Sequence, residues 1–126
     1  MDRWMFGDEP DELSDKVLKG TKTATCALAS YENSVPCENE RNIIMNSKEE
    51  DVCMIEIVEY KILKYKEITE EMAKAEGEKD LAEWRAIHRR FFSSELGIEE
   101  KDFDEDTEII YYKFRVIEKY KQEVLK

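Results

Sequence analysis

The sequence has few of the residues that interrupt regular structure or that build metal and disulfide sites. Its 126 residues include four glycines, two prolines, three cysteines and a single histidine. With so few chain breakers, each glycine and proline is a strong sign that an element ends nearby. The cysteines are odd in number and form no CxxC pair, so we expect reduced thiols in a cytoplasmic protein rather than a disulfide framework.

Long apolar runs and an excess of positive charge are absent as well. No stretch approaches the roughly 18 apolar residues of a membrane span, and the acidic beginning of the chain does not resemble a signal peptide. The 20 basic and 31 acidic residues give a formal net charge of −11. Nucleic acids and anionic membranes are bound through cations that neutralise phosphates. We therefore expect neither a long duplex nucleic acid nor a membrane as a partner.

Aromatic residues make up 10% of the chain, which is enough for a packed core. At this length one domain over residues 1–126 is the natural expectation. The oligomeric state stays open.

The apolar pattern predicts an α+β domain. The longest β-like run, 52–65, has apolar residues at both parities, which indicates a strand buried on both faces or bent by a bulge near Glu59. The clearest helix, 81–95, follows Asp80 and Glu83, a pair with capping-box spacing. Regular βαβ alternation is missing, so a small mixed sheet or barrel with helices at one side is expected. The other predicted elements are helices over 10–19, capped by Asp8 or Glu9 and ending at Gly20, and over 69–76; strands over 23–29, 42–46 and 107–119; and a loop over 30–41.

Lys22 and Thr25 are the first residues with a chemical interpretation. They would point to opposite faces of an extended strand, whereas a turn through Lys22 would bring them together. A partly buried lysine that loses its proton can then accept the proton of a threonine hydroxyl. A surface lysine and a strand threonine explain the same KxxT spacing without any activity, and spacing alone favours that explanation. The segment is not a phosphate-binding P-loop, because GxxxxGK[ST] is absent.

The helix over 81–95 places Trp84, Arg85 and His88 close together. In a functional interpretation they face a cleft where Arg85 holds an anion and His88 acts as donor or base. In a structural one, His88 is an imidazole at the edge of the core and Arg85 a surface cation. Glu76 precedes Gly77 and is either an acid/base group or a solvated carboxylate. With one histidine and no thiol cluster, neither a metal nor a cofactor is expected.

The basic residues fall into two clusters. If the two segments meet in the fold, they form a positive pocket that suits a small anionic ligand. The clusters are Lys16, Lys19 and Lys22, and Arg85, Arg89 and Arg90.

In their order along the chain these motifs resemble the ASCH (activating signal cointegrator homology) family, which is similar in fold to PUA RNA-binding domains. The resemblance implies a PUA-like small mixed β-barrel with helices packed at one side, and a cleft at the GxKxxT segment. It also implies a small nucleoside, a nucleotide or short single-stranded RNA as the partner. The matching stretches are WMFGD (4–8), LKGTKTAT (18–25), AEGE (75–78), Trp84-Arg85 with His88, Phe91-Phe92, and FDED (103–106) leading to Phe114.

One branch similar to this chain hydrolyses the acetyl amide of acetylcytidine with a lysine, a threonine and a glutamate. Carried over by motif, these catalytic residues are Lys22, Thr25 and Glu76. Trp84, Arg85 and His88 are then expected to contact the ligand. Other members of the family are thought to bind or cleave RNA, so a non-catalytic RNA- or nucleotide-binding module and a metal-dependent ribonuclease are the alternatives.

The chain departs from the family pattern at two places. Relatives often have a Glu-Arg pair before the final Phe, where this chain has Tyr112-Lys113. The turn before the second strand usually has glycine, whereas here Asn39 is available, a residue type that tolerates positive φ.

Overall fold

The computed structural model describes residues 2–31 and 39–120. Most of the predicted loop, with Pro36 and Cys37, lies outside the described residues. In the described part, no helix is both long enough and apolar enough to cross a bilayer. The helices are α1 (Pro10–Leu18), α2 (Glu70–Ala75) and α3 (Leu81–Leu96), and the strands are β1 (Asp2–Trp4), β2 (Ala24–Leu28), β3 (Arg41–Met45), β4 (Asp51–Lys64) and β5 (Glu108–Lys119).

The strands form one mixed sheet in the order β1-β3-β4-β5-β2. β1 pairs with β3 in parallel, and the other neighbours pair antiparallel. The predicted α+β class with a mixed sheet is therefore confirmed. Within the described ranges the edge strands β1 and β2 are not bonded to each other, so the sheet is a half-barrel rather than a closed barrel. Strand β1 was not predicted, because three residues are too few to show a periodicity.

Strand β4 is bent, as its mixed apolar pattern predicts. Its register against β5 shifts between Ile57 and Glu59 and again between Met54 and Ile55. Such shifts increase the local twist of a strand and curve the sheet. Before the bend both parities are buried, with Val52 as well as Ile55 and Ile57 in the core, and after it Val58 is 48% exposed. The bulge expected near Glu59 is thus present.

Side chains cap the N-termini of the two later helices at the expected positions. Thr69 Oγ1 accepts a 3.2 Å bond from the amide of Met72 at α2, and Asp80 accepts a 2.8 Å bond from the amide of Glu83 at α3. The prediction that Asp8 or Glu9 caps α1 is wrong. Glu9 holds the cap position with a φ of 42°, and its side chain makes no hydrogen bond to a backbone amide of the first turn, because a left-handed backbone does not aim the side chain there.

Two apolar clusters flank the candidate site. One surrounds Trp84 and Phe92, where α2 and α3 cover part of the sheet. The other surrounds Phe6 and Phe114, where Val17 of α1 packs on the sheet. Phe6, Cys26 and Phe91, which come from both clusters, line the same cavities. The candidate site therefore lies where the two clusters meet.

Candidate functional site

A cavity of about 150 Å³ opens between α1, the beginning of β2 and α3. It brings together four of the six residues that the sequence indicates. These four are Lys22, Thr25, Glu76 and His88.

A tight turn after α1 places Lys22 and Thr25 on this cavity. Gly20 has a φ of 80°, which lets the chain reverse, and the amide of Lys22 then bonds to the carbonyl of Lys16 at 3.1 Å. The amide of Thr23 bonds to the carbonyl of Ala75 at 2.7 Å and ties the turn to the end of α2. Lys22 is only 3% exposed and Thr25 is half-buried. The structure therefore has the turn through Lys22 that a joint site requires.

Glu76 is the centre of the polar contacts. Its side chain is 1% exposed, and Oε2 accepts a 2.7 Å hydrogen bond from Trp84 Nε1. Lys22 Nζ donates a 2.9 Å bond to the backbone carbonyl of Glu76 and lies 3.7 Å from Oε1. Oε1 itself accepts no hydrogen bond from the residues that the structure describes. A buried carboxylate oxygen without a donor is costly, so this atom has unused capacity for a ligand, a proton or a cation.

The surroundings keep Glu76 ionised. Burial acts to raise the pKa of this carboxyl, but the imidazole of His88, the ammonium of Lys22 and the indole N–H of Trp84 together outweigh burial and hold the pKa below its usual value. Glu76 is therefore a buried anion at neutral pH.

His88 has one ring nitrogen fixed by the backbone. Nδ1 lies 2.9 Å from the carbonyl of Trp84, which can only accept, so Nδ1 bears a proton. The other nitrogen, Nε2, lies 3.6 Å from Glu76 Oε1. The ring stacks on Trp84 with centroids 4.2 Å apart. Together these contacts aim Nε2 at the carboxylate.

Cys26 is a site residue that the sequence did not indicate. One ligand atom each from Cys26, Glu76 and His88 lie within 4.8 Å of one another. Burial raises the pKa of the Cys26 thiol, and the neighbouring Glu76 raises it further against the opposing charge of Lys22. Cys26 directly follows Thr25, and this position next to the motif was the signal by which the sequence could have indicated it.

Trp84 and Arg85 do not line the cavity. Trp84 is completely buried in the core and contacts Tyr65, with ring centroids 5.2 Å apart, so it has no free face for a ligand. Arg85 is exposed, and its carbonyl accepts a 2.7 Å bond from Tyr65. The cation that α3 does supply to the cavity wall is Arg90.

The cavity is not the positive pocket that the basic clusters indicate. Three basic residues line it, and six acidic ones do so too, which gives a formal balance of 3 − 6 = −3. Of the basic residues outside it, Lys19 pairs with Asp15 at 2.7 Å and Arg89 with Glu105 at 3.5 Å. The basic set is Lys16, Lys22 and Arg90, and the acidic set is Asp8, Glu9, Glu12, Glu76, Glu78 and Glu83.

A second, larger cavity of about 460 Å³ adjoins the first. The two share Thr25 and Cys26, and Phe6 and Phe91 lie on the wall of both. Beyond these residues the larger cavity is lined by aromatic rings and by amide and carboxyl groups. They include Trp4, Tyr112, Phe114, Asn42, Glu40 and Glu95.

The residues that depart from the family pattern lie in different environments. Tyr112 lines the larger cavity, whereas Lys113 pairs with Glu59 at 3.0 Å on the outside of the sheet. Asn39 has a φ of 69°, as expected of a residue that replaces a turn glycine.

The PUA-like half-barrel agrees with the comparisons with known proteins. The family model described as ASCH domain matches residues 2–118, so the chain belongs to the ASCH domain family. An ASCH domain structure from Lactobacillus crispatus is similar, with 31% identity, a TM-score of 0.80 and coverage of 93% of this chain and 80% of that one. A protein of Enterococcus faecalis is similar at 28% identity and a TM-score of 0.83, over 99% of this chain and 85% of that one. No curated protein matches.

Proposed function

We propose that this ASCH domain is a cytoplasmic amidohydrolase that removes an acyl group from a modified nucleoside such as acetylcytidine. The observation that supports the proposal is the common cavity of Lys22, Thr25 and Glu76, which come from a turn, a strand and the end of a helix. A nucleophile, a proton carrier and an acid at one cavity are what acyl transfer requires. The free thiols Cys26 and Cys53 suit a reducing compartment.

The proposed reaction begins at Thr25. Its Oγ1 attacks the acyl carbon, and the amide C–N bond breaks as the new C–O bond forms. In one concerted relay the Thr25 proton passes to Lys22, a Lys22 proton passes to Glu76 Oε1, 3.7 Å from Nζ, and this proton passes on to the leaving amine, so that Glu76 stays a carboxylate before and after the step. Water hydrolyses the Thr25 ester and releases the acid, which restores all three residues.

The charge of the cavity favours an uncharged ligand. Six carboxylates against three cations repel a phosphate chain, so we propose a free nucleoside rather than short single-stranded RNA. The larger cavity is lined by Trp4, Phe91 and Tyr112, and flat bases bind on aromatic side chains. In this proposal the base lies in the larger cavity and the acyl group reaches Thr25, which lines both.

The activity is tested by following acetate release from acetylcytidine. Wild type is compared with Lys22→Met and with Lys19→Met, which removes a lysine that pairs with Asp15 outside the cavity. We expect Lys22→Met to lose roughly 100-fold or more in kcat/KM, the usual effect of a proton-transfer group, and Lys19→Met to keep the wild-type rate. Thermal unfolding of each variant shows that it is folded at the assay temperature. No turnover by wild type, or equal turnover by wild type and Lys22→Met, contradicts the proposal.

The second candidate is a nucleoside-binding module without chemistry, which the aromatic lining of the larger cavity supports. Titration of cytidine and cytidine monophosphate at two salt concentrations tests the ligand class separately from turnover. For an uncharged ligand, cytidine binds at least as tightly as its monophosphate, and its affinity does not fall with salt. Tighter, salt-sensitive binding of the monophosphate would show that phosphate contacts dominate.

A further inference from the structure

The cluster of Cys26, Glu76 and His88 contains the three side-chain types that bind zinc through sulfur, oxygen and nitrogen. They come from β2, from the residue after α2 and from the middle of α3, so the tertiary fold alone brings them together. Their ligand atoms lie within 4.8 Å of one another. We propose that these three side chains form a zinc-binding site whose fourth position faces the cavity.

The unpartnered atom of Glu76 is the first argument. Oε1 is buried and accepts no hydrogen bond, although Oε2 of the same carboxylate is bound by Trp84 at 2.7 Å. A metal-ligating carboxylate is characteristically held in this manner, with one oxygen fixed by an outer partner and the other directed at the ion.

The orientation of His88 is the second argument. Its Nδ1–H donates to the Trp84 carbonyl at 2.9 Å, so in the neutral ring the Nε2 lone pair faces the lone pairs of Glu76 Oε1. Two lone pairs facing each other repel, so a proton or a cation must lie between them. In the metal-free protein this is the Nε2 proton through which His88 attracts Glu76, and zinc takes the place of that proton when it binds. A histidine ligand of zinc usually donates its second ring nitrogen to a backbone carbonyl or carboxylate, which is the contact found here.

The distances agree with a tetrahedral ion. Zinc bond lengths of about 2.0–2.3 Å place neighbouring ligand atoms roughly 3.3–3.7 Å apart in a tetrahedron. His88 Nε2 and Glu76 Oε1 are 3.6 Å apart already. The widest separation in the cluster is at most 4.8 Å, so the ligand atoms must approach one another by about 1 Å to surround a tetrahedral ion.

The positive charge of Lys22 is expected to weaken zinc binding. Its Nζ lies 3.7 Å from the same Glu76 oxygen, so an ion there meets a positive charge. Removing that charge is therefore expected to strengthen zinc binding. This opposite response separates the zinc site from the proposed hydrolase, in which Lys22→Met lowers kcat/KM roughly 100-fold or more and Glu76 Oε1 must be free of metal to carry a proton.

Cobalt replaces zinc as the spectroscopic probe, because a thiolate on cobalt gives a sulfur-to-metal charge-transfer band. The full chain with Cys37→Ser and Cys53→Ser keeps Cys26 as its single thiol and is expected to show this band at one cobalt per chain. Adding Cys26→Ser, which alters one atom, removes the band. No band in the single-thiol protein, or an unchanged band after Cys26→Ser, overturns the proposal.

Zinc affinity, measured by competition with a chromophoric chelator, gives a second readout that does not depend on enzymatic turnover. His88→Ala is expected to weaken binding by more than about 100-fold, since loss of an outer-sphere partner alone costs 10–100-fold. Lys22→Met is expected to strengthen it. Unchanged affinity in His88→Ala, with circular dichroism showing a folded chain, would assign the zinc to other residues.

Discussion

Trp84 Nε1 and Glu76 Oε2 are joined by a 2.7 Å hydrogen bond between two side chains that are each exposed by no more than 1%. The bond links the first turn of α3 to the residue that ends α2. It fixes the plane of the carboxylate, and thereby aims Oε1 at Lys22 and His88. Trp84, which the family resemblance indicates as a ligand contact, is in this structure a positioning residue for Glu76.

Replacing Trp84 by Phe removes the donor and leaves Glu76 Oε2 buried without a partner. A lost hydrogen bond to a buried charge is expected to cost about 1–3 kcal/mol of unfolding free energy, to which a cavity term adds. Urea unfolding followed by circular dichroism measures this loss.

Trp4→Phe is the matched control, because the Trp4 indole donates a 3.2 Å bond to the half-buried, uncharged side chain of Asn42. A neutral bond near solvent is expected to cost about 1 kcal/mol or less. An equal loss in the two variants would show that the carboxylate does not depend on Trp84.

Gly77 is a glycine whose substitution is expected to disturb the site near Lys22. It has a φ of 94°, and a Cβ added there would lie 3.2 Å from Lys16 Cδ and 3.4 Å from Lys22 Cβ. Gly77→Ala therefore strains the backbone, pushes the Lys16 side chain aside by a small amount and brings the new methyl group into contact with Lys22. Gly20→Ala is the control, since Gly20 has a φ of 80° but open space around it.

The left-handed conformation alone costs roughly 1–2 kcal/mol for a non-glycine residue, which is the loss expected for Gly20→Ala. Gly77→Ala is expected to lose more unfolding free energy than Gly20→Ala. It is also expected to lower acetylcytidine turnover, whereas Gly20→Ala keeps the wild-type turnover. Chemical unfolding and the acetate assay measure the two effects. Equal behaviour of the variants would mean that Lys16 and Lys22 move aside freely.

Local patterns in the sequence were sufficient to predict most of the fold. Thr69 and Asp80 begin the helices at their expected positions, and the bulge near Glu59 follows from the mixed parity of its strand. Strand β1 escaped prediction because its three residues are ordered by pairing with β3, a contact 40 residues away along the chain, as in Asp2 with Asn42. The expected cap at Glu9 is missing because this residue is in the left-handed conformation, which no local pattern in the sequence indicates.

Part of the candidate site was predictable. Lys22 and Thr25 lie in one contiguous motif, and Glu76 and His88 follow from the family resemblance. Cys26 has only its place directly after Thr25 as a signal, and Arg90 joins the cavity through α3 without any spacing that connects it to the motif. The sign of the cavity's charge could not be predicted either, because it depends on which acids of the 6–16 segment and of α3 face inward.

The cap of α3 gives a third prediction, because this helix holds both Trp84 and His88. Asp80→Ala removes the 2.8 Å bond to the amide of Glu83 and is expected to cost about 1 kcal/mol. Asp80→Asn retains an acceptor and is expected to stay within a few tenths of a kcal/mol of wild type. Thermal unfolding of the two variants measures this difference. Equal unfolding midpoints for Asp80→Ala and Asp80→Asn would show that the cap does not stabilise the protein.

Acid sensitivity is expected to depend on Glu56, which lies between two arginines on β3 and β5. Its Oε1 accepts a 2.7 Å bond from Arg115, and Oε2 lies 3.4 Å from Arg41. The hydrogen bond from Arg115 lowers the pKa of Glu56, partial burial opposes this, and the charges of both arginines lower it further.

A carboxyl whose pKa is lower in the folded than in the unfolded chain stabilises the fold above its ordinary pKa, and that contribution is lost as the pH falls through the lowered value. Glu56→Gln is therefore expected to be less stable than wild type at neutral pH and to lose less stability on acidification. Glu59→Gln, which removes an exposed pair with Lys113, is expected to keep the wild-type acid dependence. Unfolding free energies measured by urea titration between neutral and acidic pH test this. Parallel curves for wild type and Glu56→Gln would show that the contacts of Glu56 with the arginines do not stabilise the sheet.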